Sequence, residues 1–561
     1  MSGPVNIALA LQQMAERQPH MPAIFVPHDH DSFGRRRYVH WTYRQLDADA
    51  SRLAAGLTAL GVGRGVRAAL LVRPSLELFS LMFALFKAGA VPVLVDPGIG
   101  VKRMGRALAE AQPAAFIGIP PAHVARVLLG WGRSATTSIV VGSNAAARLL
   151  GGVSISTVRA MGDAATDGSG GFRVAPTASG DEAAVLFTSG STGAPKGAVY
   201  RHGNFVSQVE MLRDAFAFAP GEVDLPTFPP FALFDPALGM TTVIPDMDPT
   251  RPAKVNPLHI VEAVRDFGVT NMFGSPALLD TVSRFGEATG TRLETVRRVI
   301  SAGAPVHARI LTRMRAMLPD DAEIYTPYGA TESLPVAIVG SRTVLGETAE
   351  ATARGAGVCV GLPVPRAKVR IVRIDDGPIE RWRDDLQVPT GTIGEITVQS
   401  PTTTTHYFGR DEATRLAKID GGDGGVIHRM GDLGYFDERG QLWFCGRKTH
   451  RVRTAAAELY TIPCEAIFNQ HPAVWRSALV GVGPAGAQRP VICVELEVGQ
   501  AEPRQLVEEL RALGAAHAHT AGIADFLVHP SFPVDIRHNA KIGREQLAIW
   551  AAGRLGVGKG G

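Results

Sequence analysis

The run LFTSGSTGAPKG, Leu186 to Gly197, gathers three glycines, four hydroxyl side chains, a proline and a lysine into twelve positions. Glycines let backbone N–H groups come up to a ligand with no Cβ in the way. Successive N–H groups in such a turn form a concavity that holds anions. Thr188, Ser189, Ser191 and Thr192 add hydroxyl donors, Gly190 and Gly193 open the backbone, and Lys196 adds a positive charge. A polyphosphate suits that chemistry. A flexible surface turn is the plain alternative, and a lysine and proline at set places argue against it. The order is neither GxxxxGK[ST], since Gly197 follows Lys196, nor GxGxxG.

Further runs follow in the order SAGAP (Ser301 to Pro305), YGATE (Tyr328 to Glu332), GEITV (Gly394 to Val398), MGDLGYFDERGQLWFCGRK with Asp432 and Arg447, and HNAKIG with Lys541. Tyr328 offers an aromatic face to a purine. Glu332 is a hard oxygen ligand of the kind that holds Mg²⁺ beside substrate phosphates. Lys541 could meet negative charge as it builds on a phosphate. Together these runs resemble the adenylate-forming superfamily of acyl-CoA synthetases, luciferases and peptide-synthetase adenylation domains. The resemblance implies an ATP site in which Gly303, Ala304 and Pro305 lie along the adenine and Tyr328 stacks on it. Gly329, Ala330 and Thr331 lead to the phosphates, Glu332 holds Mg²⁺, Asp432 grips the ribose hydroxyls, and Arg447 sits at a hinge. Thr192, Glu332 and Lys541 would be the catalytic residues. It also implies an α/β fold: a large N-terminal AMP-binding domain, 1–445, of two α/β subdomains plus a distorted β-barrel, and a small mobile α+β lid, 446–561.

The acceptor side departs from the acyl-CoA synthetases. Alanines stand in Lys448 to Phe468 where those enzymes keep a glycine that lets pantetheine pass, Thr449 replaces the hinge acid, and Ala232 replaces a histidine. The runs FPPFALFDPALG, VIPDMDPTRPA and FPVDIRHNAKIGREQLAIWA instead look like the olefin β-lactone synthetases of bacterial long-chain olefin biosynthesis. That implies adenylation of a long-chain 2-alkyl-3-hydroxy acid, followed by attack of its own 3-hydroxyl to close a cis-β-lactone without CoA. It also makes assembly with other olefin-pathway enzymes an expectation. Phe228, Phe231 and Phe234 are candidates to line the acyl pocket, or ordinary core. The base for the hydroxyl is not evident: His202 reads as structural or a cap, and Asp235 is the other candidate. An acyl-CoA synthetase and a catalytically dead adenylate-binding protein are the competing functions; retention of Glu332 and Lys541 argues against the second.

Elements must carry these loops. Thr42 with Gln45 forms a capping-box pattern ahead of Leu46, Leu53, Leu57 and Leu60 on one helical face. AALLV (68–72), a helix over 76–88 and the strand VPVLV (91–95) then spell a βαβ unit. The alternation returns at 258–275 and 292–304, and a further βαβ-like pattern spans 474–515, past a boundary near Gly446 to His450. GGDGG, Gly421 to Gly425, reads as a hairpin tip, and DGSGG, Asp167 to Gly171, as a surface loop.

Composition fits a soluble globular protein. Hydrophobic residues make up 45% and charged residues 20%, which excludes a disordered or collagenous chain. A net charge of +4 is too small over 561 residues to argue for nucleic acid or an anionic membrane. Cys359, Cys445, Cys464 and Cys493 lack CxxC spacing and read as reduced cytoplasmic thiols. The N-terminus reads as a helix start rather than a signal peptide. The longest apolar stretch, Leu78 to Val95, contains Lys87 and Pro92 and falls short of the ~20 apolar residues a membrane span needs.

Overall fold

The computed structural model describes residues 4–166, 171–188, 195–422, 424–497, 499, 504–534 and 542–556. Ser189, Gly190, Ser191, Thr192, Gly193 and Lys541 lie outside them, as does most of the loop from Asp167.

The helix Tyr43–Ala59 begins as its sequence predicts: Thr42 Oγ1 accepts from Gln45 N at 3.3 Å, and Gln45 Oε1 accepts from Thr42 N at 2.8 Å. Leu46, Leu53 and Leu57 are fully buried beneath it. The next helix, Leu76–Ala88, is buried down to Lys87, whose ammonium is matched by Asp47 at 2.6 Å and Ser51 at 2.7 Å. A buried lysine so paired avoids the cost of an unmatched charge.

These helices cover a seven-stranded sheet. Its order is Val153–Ser154, Thr137–Val140, Ala115–Gly118, Arg67–Leu71, Val91–Val95, Glu182–Thr188, Lys196–Arg201, with only the last strand antiparallel. From Arg67–Leu71 the chain steps one way along the sheet, through Leu76–Ala88, to Val91–Val95. It then steps back three times, through the helices Val101–Ala111, Pro120–Leu129 and Asn144–Leu149. Right-handed crossovers put these three helices on the face opposite Leu76–Ala88. Met104, Leu108, Phe116, Ala122 and Trp131 form the core beneath them.

A second sheet carries a parallel run ordered Pro22–His30, Thr241–Val243, Val223–Pro226, Asn271–Phe273, Arg298–Ile300, Glu323–Ala330. It continues antiparallel through Ser333–Gly340, Val358–Pro363, Leu442–Arg447, Val426–Phe436, Gly394–Gln399 and Lys368–Val372. Register shifts at Cys359/Gly361, Glu395/Thr397 and Leu433/Gly434 mark bulges, which bend and twist such strands. Gly421 and Gly425, the outer residues of GGDGG, stand between the paired strands Lys418–Asp420 and Val426–Phe436, and Gly421 N donates to the Gly425 carbonyl at 2.9 Å; Asp423 lies outside the described residues.

The ladder continues to Arg447, opposite Asp432, and the chain leaves the sheet at Lys448. Lys448 Nζ donates to Glu395 at 3.0 Å and to the Asp375 carbonyl at 2.8 Å, while Arg429 holds the same buried Glu395 at 2.6 Å. Beyond it lies a three-stranded sheet, Val474–Val482, Arg489–Leu496, Asp525–Val528. The pattern over 474–515 resolves differently from a single βαβ unit. The first two strands pair antiparallel, and the parallel crossover runs from Arg489–Leu496 through Leu506–Ala515 to Asp525–Val528. The short link over 483–488, with Gly483 and Gly486 at positive φ, allows a hairpin only; parallel strands need a dozen residues or more between them. Arg309 ties this sheet to the larger body: it pairs with Glu497, donates to the Trp475 carbonyl at 2.9 Å, and lies 4.1 Å over the Trp475 ring.

Candidate active site

The motif residues of the second sheet gather at one end. Phe228 follows the strand Val223–Pro226, Gly274 follows Asn271–Phe273, Ser301 to Pro305 follow Arg298–Ile300, and Thr331 follows Glu323–Ala330. All are carboxyl ends of parallel strands, outside which open α/β sheets form their ligand crevices. Gly303 has φ +95, a conformation that disfavours any side chain, and Gly303 and Pro305 are exposed with Ala304 half-buried between them.

One corner interlocks three motifs. Tyr328 donates its hydroxyl to Asp432 Oδ2 at 2.7 Å, and Arg447 donates to Asp432 Oδ1 at 2.8 Å. Burial pushes the Tyr328 hydroxyl well above its ordinary value, so it remains a donor. The Asp432 carboxylate keeps the Arg447 guanidinium charged. Asp432 is 5% exposed and Tyr328 half-buried, with one ring face near Phe444 at 6.2 Å. Gly329 is exposed and Ala330 half-buried.

A second corner is built around Glu332. Tyr407 donates to Glu332 Oε1 at 2.5 Å, and Thr404 N donates to the Glu332 carbonyl at 2.8 Å. Lys418 Nζ donates to the Thr404 carbonyl at 2.5 Å, and Tyr200 caps the Thr331 carbonyl. The same segment joins the first sheet: Phe408 N donates to the Gly197 carbonyl at 2.8 Å and Val199 N to the His406 carbonyl at 3.3 Å. Lys196, exposed beside the opening loop, lies 5.1 Å over the Tyr407 ring. Thr188, the last residue of its strand, pairs opposite Lys196. Residues 404–408 thus bring Lys196 and Glu332 to one tyrosine. Burial pushes the Glu332 carboxyl up, but His428, the Tyr407 hydroxyl and Lys418 outweigh it and hold it below its ordinary value. An ionised carboxylate with one oxygen already engaged fits a single-point Mg²⁺ ligand, the remaining sites falling to phosphate and water. No three-acid or histidine cluster occurs among the described residues, so the donor set does not suit a metal caged by protein alone.

The aromatic candidates divide. Phe231 stacks on Phe273 with centroids 4.1 Å apart and leans on Phe228 at 5.4 Å. Phe234 instead meets Phe205 at 6.3 Å, and Phe205 stacks on Tyr200. Asp235 does not line an open pocket: it is 4% exposed, accepts from Thr242 at 2.8 Å, and sits against Asp224. Burial raises both carboxyls, Asp224 to about 7, as two acids sharing one proton require. His202 is structural: fully buried, its Nδ1 accepts from Ile7 N at 3.3 Å, and burial lowers it to about 4. The sequence reading missed Phe273, Thr404, Tyr407 and Lys418. The aromatic pair in THYFG and the phenylalanine closing VTNMF were the available signals.

The family model of the AMP-binding enzymes matches residues 11–408. An olefin beta-lactone synthetase of Xanthomonas campestris is 56% identical, over 98% of this chain and 97% of its own. One from Stenotrophomonas maltophilia is 53% identical over 99% of both chains. Among solved structures, the amide bond synthetase McbA of Marinactinospora thermotolerans superposes with a TM-score of 0.76 at 23% identity, covering 97% of this chain and 99% of its own. That likeness shows the fold: the large α/β body with its antiparallel barrel region and the small C-terminal α+β unit. The chain belongs to the AMP-binding enzyme family, as an AMP-forming ligase of the olefin beta-lactone synthetase branch.

Proposed function

We propose that the protein is an ATP-dependent β-lactone synthetase acting on a long-chain 2-alkyl-3-hydroxy acid. The near-full-length likeness to two olefin beta-lactone synthetases carries this reading. The substrate carboxylate attacks the α-phosphorus of ATP and pyrophosphate leaves. The 3-hydroxyl oxygen of the same molecule then attacks the acyl carbon, gives up its proton, and expels AMP as the four-membered ring closes.

Each residue has a task under this reading. The loop from Thr188 through Thr192 and Gly193 to Lys196 holds the triphosphate. Tyr328 and the Gly303–Pro305 backbone flank the adenine, and Asp432, steadied by Arg447, accepts from the ribose hydroxyls. Thr331 lies toward the phosphates. Lys541, carried by the 446–561 lid, meets the negative charge developing at the α-phosphate. Mg²⁺, held by Glu332 and phosphate oxygens, would neutralise charge on the departing pyrophosphate. Phe228, Phe231 and Phe273 form one wall of the acyl cavity.

The second step needs folding-together rather than a second substrate. Positioning two groups of one molecule can supply ~7–11 kcal/mol, less here because the ring is strained. Four free, buried cysteines fit a reducing cytoplasm, and association with enzymes that supply the hydroxy acid or consume the lactone belongs to the same reading. Mass analysis of products from such an acid with ATP and Mg²⁺ tests it. Lactone plus AMP without CoA is the expected result; product formed only with CoA would make the protein an acyl-CoA synthetase.

A further inference from the structure

The face of the seven-stranded sheet covered by the helices Val101–Ala111, Pro120–Leu129 and Asn144–Leu149 carries none of the residues assigned to the site above. On the helix Pro120–Leu129, Val124, Val127 and Leu128 fall on one stripe, and they are 44%, 62% and 75% exposed. Leu149, at the end of the neighbouring helix, is 87% exposed. Arg126 donates to the Leu150 carbonyl at 3.2 Å, which places the two helix ends side by side. Contiguous exposed apolar residues of this kind mark interaction sites.

The charge on this segment is predominantly positive. Between Pro97 and Leu150 there are six Lys or Arg residues against a single acid, Glu110. Glu110 is already engaged by Arg410 at 2.6 Å. Lys102, Arg103 and Arg106 are exposed on Val101–Ala111, which shares this face and its core, and Arg133 and Arg148 are exposed beside the apolar tip. None of these five has a carboxylate partner among the described residues. Elsewhere the chain is close to balanced, with a net charge of +4 over its whole length, so the imbalance is local.

We propose that the face formed by helices Val101–Ala111, Pro120–Leu129 and Asn144–Leu149 docks the protein on an anionic lipid surface. Basic residues flanking an apolar ridge are the composition of a membrane-surface element. The guanidinium heads reach headgroup phosphates while their stems and the Val127–Leu128 ridge enter the apolar boundary. A nucleic acid would match the charge but leave the ridge in water. No helix among the described residues is long and apolar enough to cross a membrane, so attachment would be peripheral and reversible.

Co-sedimentation of the full chain with vesicles tests this. One set is phosphatidylcholine alone, the other an equal mixture with phosphatidylglycerol. Binding to the mixed vesicles, at least several-fold above the neutral ones and weakened by salt, is expected. Val127→Ser with Leu128→Ser, and separately Lys102→Glu with Arg103→Glu, should each lower it several-fold. Both variants should keep wild-type ATP–pyrophosphate exchange with a water-soluble 3-hydroxy acid, which also reports folding. Equal binding to the two vesicle sets, no binding, or variants that bind as wild type would overturn the proposal. So would a patch that fails on vesicles while its serine variant dissociates a protein oligomer in sedimentation velocity.

Discussion

The two ends of the crevice are built on opposite plans. At the end proposed for the nucleotide, polar side chains up to 104 positions apart lock one another: Tyr328 to Asp432, Asp432 to Arg447, Tyr407 to Glu332. At the end proposed for the acyl chain, Phe228, Phe231 and Phe273 pack ring against ring with no polar atom to satisfy. Hydrogen bonds are directional and cost free energy when left unmade, so an interlocked corner recognises one shape. Apolar contact is non-directional and scales with area, so an aromatic wall tolerates chains of different length. Under the proposed function, one site combines a fixed reader with an adjustable one.

Substitutions at the two ends should separate accordingly. Lys541→Ala should cost about 10²–10³-fold or more in pyrophosphate release, as for a lost transition-state donor, with ATP affinity within a few-fold of wild type by calorimetry. Undiminished release would remove Lys541 from the reaction. Tyr328→Phe keeps the ring and deletes one bond to a charged group, about 1.5–3 kcal/mol. KM for ATP should rise roughly tenfold or more by that measure, with kcat and the choice of acid little changed. Phe231→Ala should do the converse, raising KM for long acids about tenfold through lost apolar contact while KM for ATP stays put. A shift in both constants would mean the two ends are coupled.

The smallest effect concerns stability. Asp224 and Asp235 titrate higher in the folded chain than in the unfolded one, so they favour folding at low pH. That contribution is lost as pH rises from the ordinary carboxylate range toward about 7, the value to which Asp224 is raised. Asp235→Asn mimics the protonated pair. Its melting temperature should exceed wild type by a few degrees at pH 8, with the gain shrinking toward pH 5; a gain independent of pH would show that the pair never ionises.

Much of this was legible beforehand because it is local. The Thr42–Gln45 cap, the helix over 76–88 and the strand VPVLV depend on neighbours in sequence, and they stand where the pattern puts them. YGATE and MGD stood out only through their family resemblance. What stayed hidden is long-range. Nothing near Tyr407 in sequence reveals a partner 75 positions away, and FALFDPALG gives no sign that Asp235 faces Asp224 in the interior. The antiparallel pairing over 474–496 was missed for another reason: apolar alternation marks a strand but carries no direction.

Lys448 has one more consequence. Its ammonium is moored to the body through Glu395 and the Asp375 carbonyl, although it stands just past the last rung of the barrel ladder. A swing of the C-terminal unit about Arg447 would tear that mooring and leave Glu395 to Arg429 alone. A swing about the residues beyond Lys448 would spare it, and the pivot would then travel with the body while everything downstream turns.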